Sequence, residues 1–319
     1  MESNFNMERF QWNIERLQIK KNLHLENNSF KPKIALIDSG IDYKHTEFNG
    51  KINLNDSYNF VNGNQDITDN LGHGTMVAGI ICAENVIQGC YSNVELIVYK
   101  ITDNLSYDVS KLLRAMNHSI KSKVNLINLS LSIPFDKLSE ELIELFCEVF
   151  DRANKNNVII VIAAGNQNKK LSKNFTTKYK NVFLIGASNS NGLKSSYSNF
   201  GAVDFMAPGG DWNQSEFSLD DPILTCYPTH LTTMDPLNNN LGIPKGYCIS
   251  YGTSIAAAHV TGCIAYLMAN YFKLTNSIFN TEYLYSILCN NKSNNQQPHY
   301  SFHGEINLFK SLNSIYNRT

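Results

Sequence analysis

From residue 33 onward, short apolar runs alternate with segments whose apolar residues recur at helical spacing. Lys33-Ile34-Ala35-Leu36-Ile37, Glu95-Leu96-Ile97-Val98-Tyr99, residues 124–131, Val158-Ile159-Ile160-Val161-Ile162 and residues 182–186 read as strands. Between them, Val109, Leu112, Leu113, Met116 and Ile120 share one helical face, and Leu142, Ile143, Phe146, Val149 and Phe150 share another. Strand runs apolar on both faces, alternating with amphipathic helices, predict an α/β fold with a parallel sheet covered on both sides. The rhythm breaks at 211–245, a span rich in Asp, Asn, Pro and Thr, which reads as a surface insertion. Residues 1–28 read as an N-terminal arm and the asparagine-rich stretch 290–297 as a flexible loop. With no repeat and no linker, 1–319 reads as one domain.

Composition narrows the function. At 43% hydrophobic and 17% charged residues, with a formal net charge of -1, the chain has material for a large core and no basic surface. Nucleic acid and membrane surfaces are therefore not expected partners. Seven cysteines, none in a Cys-x-x-Cys pair, are an odd and scattered set. They fit buried thiols in a reducing compartment better than a disulfide framework or a zinc site. The N-terminal stretch lacks the apolar run of a signal peptide, and no other stretch reads as a spanning helix with suitable flanks. A cytoplasmic protein is expected.

Three segments carry chemistry. Ser254 stands at the start of the alanine-rich apolar run 255–260, a buried helix whose first turn favours developing negative charge. His73 lies between glycines at another helix start, in Gly72-His73-Gly74-Thr75. Asp38 follows the last apolar residue of the first strand, and Asn166 follows the strand 158–162 in the same way. In parallel sheets such strand ends line one crevice. Asp, His and Ser, each at the end of an element, are the parts of a nucleophilic triad.

The motifs around these residues resemble those of the subtilisin family of serine proteases. Ile37-Asp38-Ser39-Gly40-Ile41-Asp42 is similar to its aspartate motif, and Gly72-His73-Gly74-Thr75-x-Val77-Ala78-Gly79 to its histidine motif. Gly252-Thr253-Ser254-x-Ala256, with His259-Val260-x-Gly262, is similar to its serine motif, and Ala163-Ala164-Gly165-Asn166 to the segment bearing its oxyanion asparagine. The order Asp, His, Ser is that of the family. The resemblance runs from about residue 12 to about 312. It implies a three-layer α/β/α fold with a mainly parallel central sheet. It also implies a serine endopeptidase with Asp38, His73 and Ser254 as triad and Asn166 as oxyanion donor. Asn128, Leu129, Ser130, Leu131 and Ser132 then form the edge that pairs with extended substrate, and Ile101 and Thr102 part of the opposite wall.

The departures point further. Ser132 and Ile133 stand where relatives often carry glycines, which implies a narrower pocket. Ile255 replaces a frequent methionine, and Ala258 a frequent proline. Segment 84–93 is shorter than the calcium loop of well-known secreted relatives, and Glu47 alone is not a calcium site, so no cofactor or metal is expected. Residues 12–17 already resemble the start of a mature catalytic domain, which implies that no prodomain is used. The insert 211–245, the narrowed strand and the ending His303-Gly304-Glu305-Ile306-Asn307 are similar to leader peptidases of lantibiotic biosynthesis, whose partner is a modified precursor peptide. A housekeeping subtilase of broad specificity, a secreted protease and a catalytically dead peptide-binding module are the alternatives.

Overall fold

The computed structural model describes residues 7–19, 30–104, 106–172, 175–212, 221–291 and 300–317. Its strands in chain order are β1 (Lys33–Asp38), β2 (Tyr58–Asn59), β3 (Glu95–Lys100), β4 (Leu126–Ser132), β5 (Ile159–Ala163), β6 (Lys170–Leu171), β7 (Val182–Ser188), β8 (Phe200–Gly201), β9 (Phe205–Pro208), β10 (Ile223–Cys226) and β11 (Tyr247–Ser250). The helices are α1 (Trp12–Arg16), α2 (His73–Cys82), α3 (Val109–Lys121), α4 (Glu140–Lys155), α5 (Asp235–Leu241), α6 (Thr253–Thr275), α7 (Thr281–Asn290) and α8 (Leu308–Tyr316).

Seven strands make one sheet in the order β2-β3-β1-β4-β5-β7-β9, paired in parallel throughout. Side chains alternate across it as the pleat requires. Ile34 and Leu36 join the core containing α2 and α6, while Ala35 and Ile37 join the core containing α3 and α4. This is the expected three-layer fold, and the predicted strands and helices form at their expected places.

Helix α6 is the axis of the first core. It is apolar around its whole circumference and buried from Ile255 to Asn270, as an all-round apolar helix must be. By length and composition alone it could cross a membrane, contrary to the sequence reading, but 89% of its apolar window is buried inside the fold. Its buried His259 donates from Nδ1 to the Ile255 carbonyl at 2.8 Å and accepts at Nε2 from Asn13 of α1 at 2.8 Å. Burial holds this imidazole neutral, with a pKa of about 4. The N-terminal arm is thus docked where it is described, and Arg16 adds a salt bridge to Glu305 at 2.7 Å.

The insertion 211–245 is in part core, not surface. Ile223, Leu224 and Cys226 of β10 are fully buried, and β10 pairs with β11 as an antiparallel hairpin against α2. Thr225 donates to the Met76 carbonyl at 2.6 Å, and the His230 ring nitrogen Nε2 lies 3.0 Å from the Asp69 carbonyl. Three apolar residues inside a polar span gave no periodicity to read. Residues 213–220 of this insert, residues 20–28 of the arm and residues 292–297 of the asparagine-rich stretch lie outside the described residues.

Candidate active site

Asp38 ends β1 with its side chain 4% exposed. Its Oδ1 accepts from the Ser39 backbone N–H and from His73 Nδ1, each at 2.7 Å. The His73 proton is therefore on Nδ1, and Nε2 keeps its lone pair. Desolvation lowers the His73 pKa, but the Asp38 charge and hydrogen bond, with the charge of Asp69 behind them, outweigh it and raise the pKa above the ordinary 6.5.

A second carboxylate, Asp69, organises the turn behind this pair. Asp69 is fully buried and accepts five hydrogen bonds: from Ser39 Oγ (2.8 Å), Leu71 N (3.1 Å), Gly72 N (2.8 Å), Thr75 N (2.9 Å) and Thr75 Oγ1 (2.7 Å). One carboxylate thus ties the residue after Asp38 to both flanks of His73. A Cβ on Gly74 would collide with the Gly40 carbonyl, so glycine lets α2 approach the Asp38 turn this closely.

Ser254 lies in the first turn of α6, half-buried at the positive end of a long helix. Its hydroxyl donates to the Ser130 carbonyl at 2.7 Å and makes no hydrogen bond to His73 in this arrangement. Ser130 Oγ returns a bond to the Ser254 carbonyl at 2.9 Å. The pairing of β1 with β4 stops at Leu36↔Asn128, so Asp38, the last residue of β1, and Ser130, two residues past the pairing in β4, stand toward the carboxyl ends of neighbouring strands. Adjacent strands lie about 4.8 Å apart. His73 is bonded to one of these ends and Ser254 to the other, so carboxylate, imidazole and hydroxyl collect at one crevice.

Asn166 is exposed and anchored through its oxygen, which accepts from Thr253 N (3.0 Å) and Thr253 Oγ1 (2.8 Å). Its amide nitrogen remains as donor. A Cβ on Gly252 would sit 3.4 Å from Asn166 Nδ2 and 3.8 Å from Ser254 N, so both donors converge on that space. Gly252, at φ +144°, adopts a backbone conformation closed to other residues. The pair can bind an oxyanion there.

The residues assigned to substrate divide. Past Asn128, β4 is unpaired on its β1 side, and a bulge between Leu129 and Ser132 interrupts its pairing with β5. That leaves backbone for an extended peptide beside Ser254. The side chains of Asn128, Leu129 and Ile101, however, are buried. Asn128 is an internal strut, donating to Ser130 Oγ (2.9 Å) and accepting from Thr261 (2.7 Å). Thr102 bonds within its own loop, to the Asn104 and Ser106 carbonyls. The wall opposite is tied to the edge by Tyr107, whose hydroxyl donates to the Ser132 carbonyl at 2.8 Å; burial pushes its pKa up to about 12. Leu131 and Ser132 are half-buried, and Ser132 and Ile133 line a cavity of about 670 Å³ that also reaches Ala164 and Gln167.

Glu47 is fully buried, and its carboxylate is already filled. The backbone N–H groups of Glu84 (2.7 Å), Asn85 (2.6 Å), Val86 (2.7 Å) and Ile87 (3.2 Å) and the Tyr247 hydroxyl (2.8 Å) all donate to it. Burial raises its pKa, but those donors outweigh it and leave the pKa below the usual value. Among the described residues no group of three or more His, Cys, Asp or Glu is placed to hold a metal.

Comparison with known proteins identifies the family and the fold. The minor extracellular protease Epr of Bacillus subtilis (strain 168) is 30% identical over 204 residues, 62% of this chain but 30% of that protein. The crystal structure of a lanthipeptide protease superimposes with a TM-score of 0.84 at 26% identity, covering 97% of this chain and 95% of that one. The epidermin leader peptide processing protease EpiP of Staphylococcus aureus shares the fold, with a TM-score of 0.77 at 22% identity over 98% of this chain and 82% of that one. The subtilase family model matches residues 30–303, and the chain belongs to the subtilase family of serine peptidases.

Proposed function

We propose that this serine peptidase removes the N-terminal leader from a modified lantibiotic precursor peptide. The observation that carries the reading is the likeness to a lanthipeptide protease over 97% of the chain. The side chains of Ser132 and Ile133 in the cavity wall support a restricted choice of substrate. The seven free thiols support a cytoplasmic, reducing setting. The filled Glu47 carboxylate supports an enzyme that needs no calcium there.

The chemistry follows from the site. An extended peptide lies along β4, and its backbone N–H competes for the Ser130 carbonyl. The Ser254 hydroxyl then turns to His73 Nε2, a contact that tightens only with substrate present. Ser254 Oγ attacks the scissile carbonyl while His73 takes its proton, and Asp38 stabilises the imidazolium. Asn166 Nδ2 and Ser254 N hold the oxyanion. His73 returns the proton to the leaving amine as the C–N bond breaks, and water then releases the acyl group by the same steps in reverse.

The test is incubation of the enzyme with a modified precursor peptide and, separately, with casein, followed by mass spectrometry. A single cut between leader and core with casein intact is expected. Extensive casein digestion with several cuts in the precursor would make the chain a housekeeping protease instead.

A further inference from the structure

The cavity beside Asn166 bears charge whose use the proteolytic reading leaves open. It lies between two segments that leave the sheet, one after β4 and one after β5. Ser132 lies on one wall, two residues beyond Ser130, and Ala164 on the other, two residues before Asn166. Both walls are thus continuous with segments that hold the acyl group, through Ser130 on one side and Asn166 on the other.

The lining combines apolar surface, from residues such as Ile133, Leu171 and Leu184, with four charged residues. Asn199, 3% exposed, is fully engaged in holding the loop. Its amide donates to Ala164 O (2.8 Å) and Gln167 Oε1 (2.9 Å), and its oxygen accepts from Gln167 N (3.2 Å) and Lys169 N (2.8 Å). Gln167 thus keeps its amide nitrogen as a donor. Of the charged residues, Asp136 and Lys169 form an ion pair with each other at 3.5 Å, linking the two walls. Lys137 and Lys170 also line the cavity, are exposed, and make no ion pair among the described residues. Among the described lining residues the balance is two unpaired ammonium groups with no carboxylate left over.

We infer that Lys137 and Lys170 select an acidic residue before the scissile bond and reject a basic one. This rests on the proteolytic reading above. A carboxylate entering the cavity meets two cations and an amide donor, whereas a guanidinium or ammonium adds a third cation with nothing to pair it. Both lysines reach solvent, so the preference is moderate and sensitive to salt.

The experiment uses the intact enzyme and four peptides that differ only in the residue before the cut: Glu, Gln, Leu and Arg. At low ionic strength kcat/KM for Glu is expected to exceed that for Arg about tenfold, and the gap to shrink in about 0.5 M salt. The double variant Lys137→Glu, Lys170→Glu, changed only at exposed positions, is expected to invert the order. Cleavage at Arg or Leu as fast as at Glu, or an unchanged Glu-to-Arg ratio in the double variant, overturns the inference and leaves proteolysis standing. No cleavage of any peptide, together with no labelling of Ser254 by a fluorophosphonate, overturns the proteolytic reading and this inference together.

Discussion

Thr253 fixes which way Asn166 points. Its backbone N–H at 3.0 Å and its hydroxyl at 2.8 Å both donate to Asn166 Oδ1. A backbone N–H can only donate, so the side-chain oxygen of Asn166 is assigned and its amide nitrogen is left for an oxyanion. Asn166→Ala is expected to lower kcat about 10²–10³-fold, the loss known for removal of the corresponding donor in subtilisin. Thr253→Ala removes one of the two bonds that aim this donor and keeps the backbone one, and a loss of up to about tenfold, mainly in kcat, is expected. Steady-state kinetics on variants with matched melting temperatures checks both; unchanged turnover in Asn166→Ala removes this residue from the chemistry.

The pH dependence follows from His73. It must be neutral to accept the Ser254 proton, and its pKa is raised above 6.5 because the Asp38 and Asp69 charges outweigh desolvation. The acidic limb of kcat/KM should therefore have its midpoint above about 6.5. Asp69→Asn removes one of the raising charges and should move that midpoint down. Stability runs the opposite way. A group whose pKa rises on folding stabilises the fold below its unfolded pKa, and that contribution is lost as pH rises through the folded value. A pH-rate profile flat down to about 4 would contradict a histidine base.

Glu47 gives a prediction about metal. With five donors on its carboxylate, chelators should change neither the melting temperature nor the activity. Glu47→Gln should cost about 3 kcal/mol, because an amide cannot accept from every donor that the carboxylate serves. Its pKa is lowered on folding, so this stability is present above 4.5 and lost as pH falls through the folded value. Urea titrations with and without chelator, at neutral and acidic pH, measure both effects.

Ile255 adjoins the nucleophile and is 2% exposed. Without a thioether there, peroxide should inactivate this enzyme more slowly than subtilases with methionine at that position. Equal inactivation rates, with the oxidised site mapped beside Ser254, would contradict this.

What the sequence disclosed and what it hid have physical reasons. The strands β1, β3, β4, β5 and β7 were legible because a strand buried on both faces is an unbroken apolar run. Asp38, His73, Asn166 and Ser254 were legible because each stands where an element begins or ends. Asp69 and Thr253 were not, because their partners are decided by how loops meet. Glu47 resembled a lone carboxylate until four consecutive N–H groups folded around it. That the side chains of Asn128 and Ile101 are buried is hidden in the sequence, because strand position does not reveal which side chains point inward at a strand's end. The pairing of Asp136 with Lys169, which decides the charge of the cavity, is invisible until the two walls are side by side.

Fluorophosphonate labelling of the folded enzyme, followed by peptide mapping, tests the central claim most directly. A single adduct on Ser254, formed much more slowly in His73→Ala and Asp38→Asn, is the predicted result. An adduct elsewhere, or no adduct on folded protein, would contradict it.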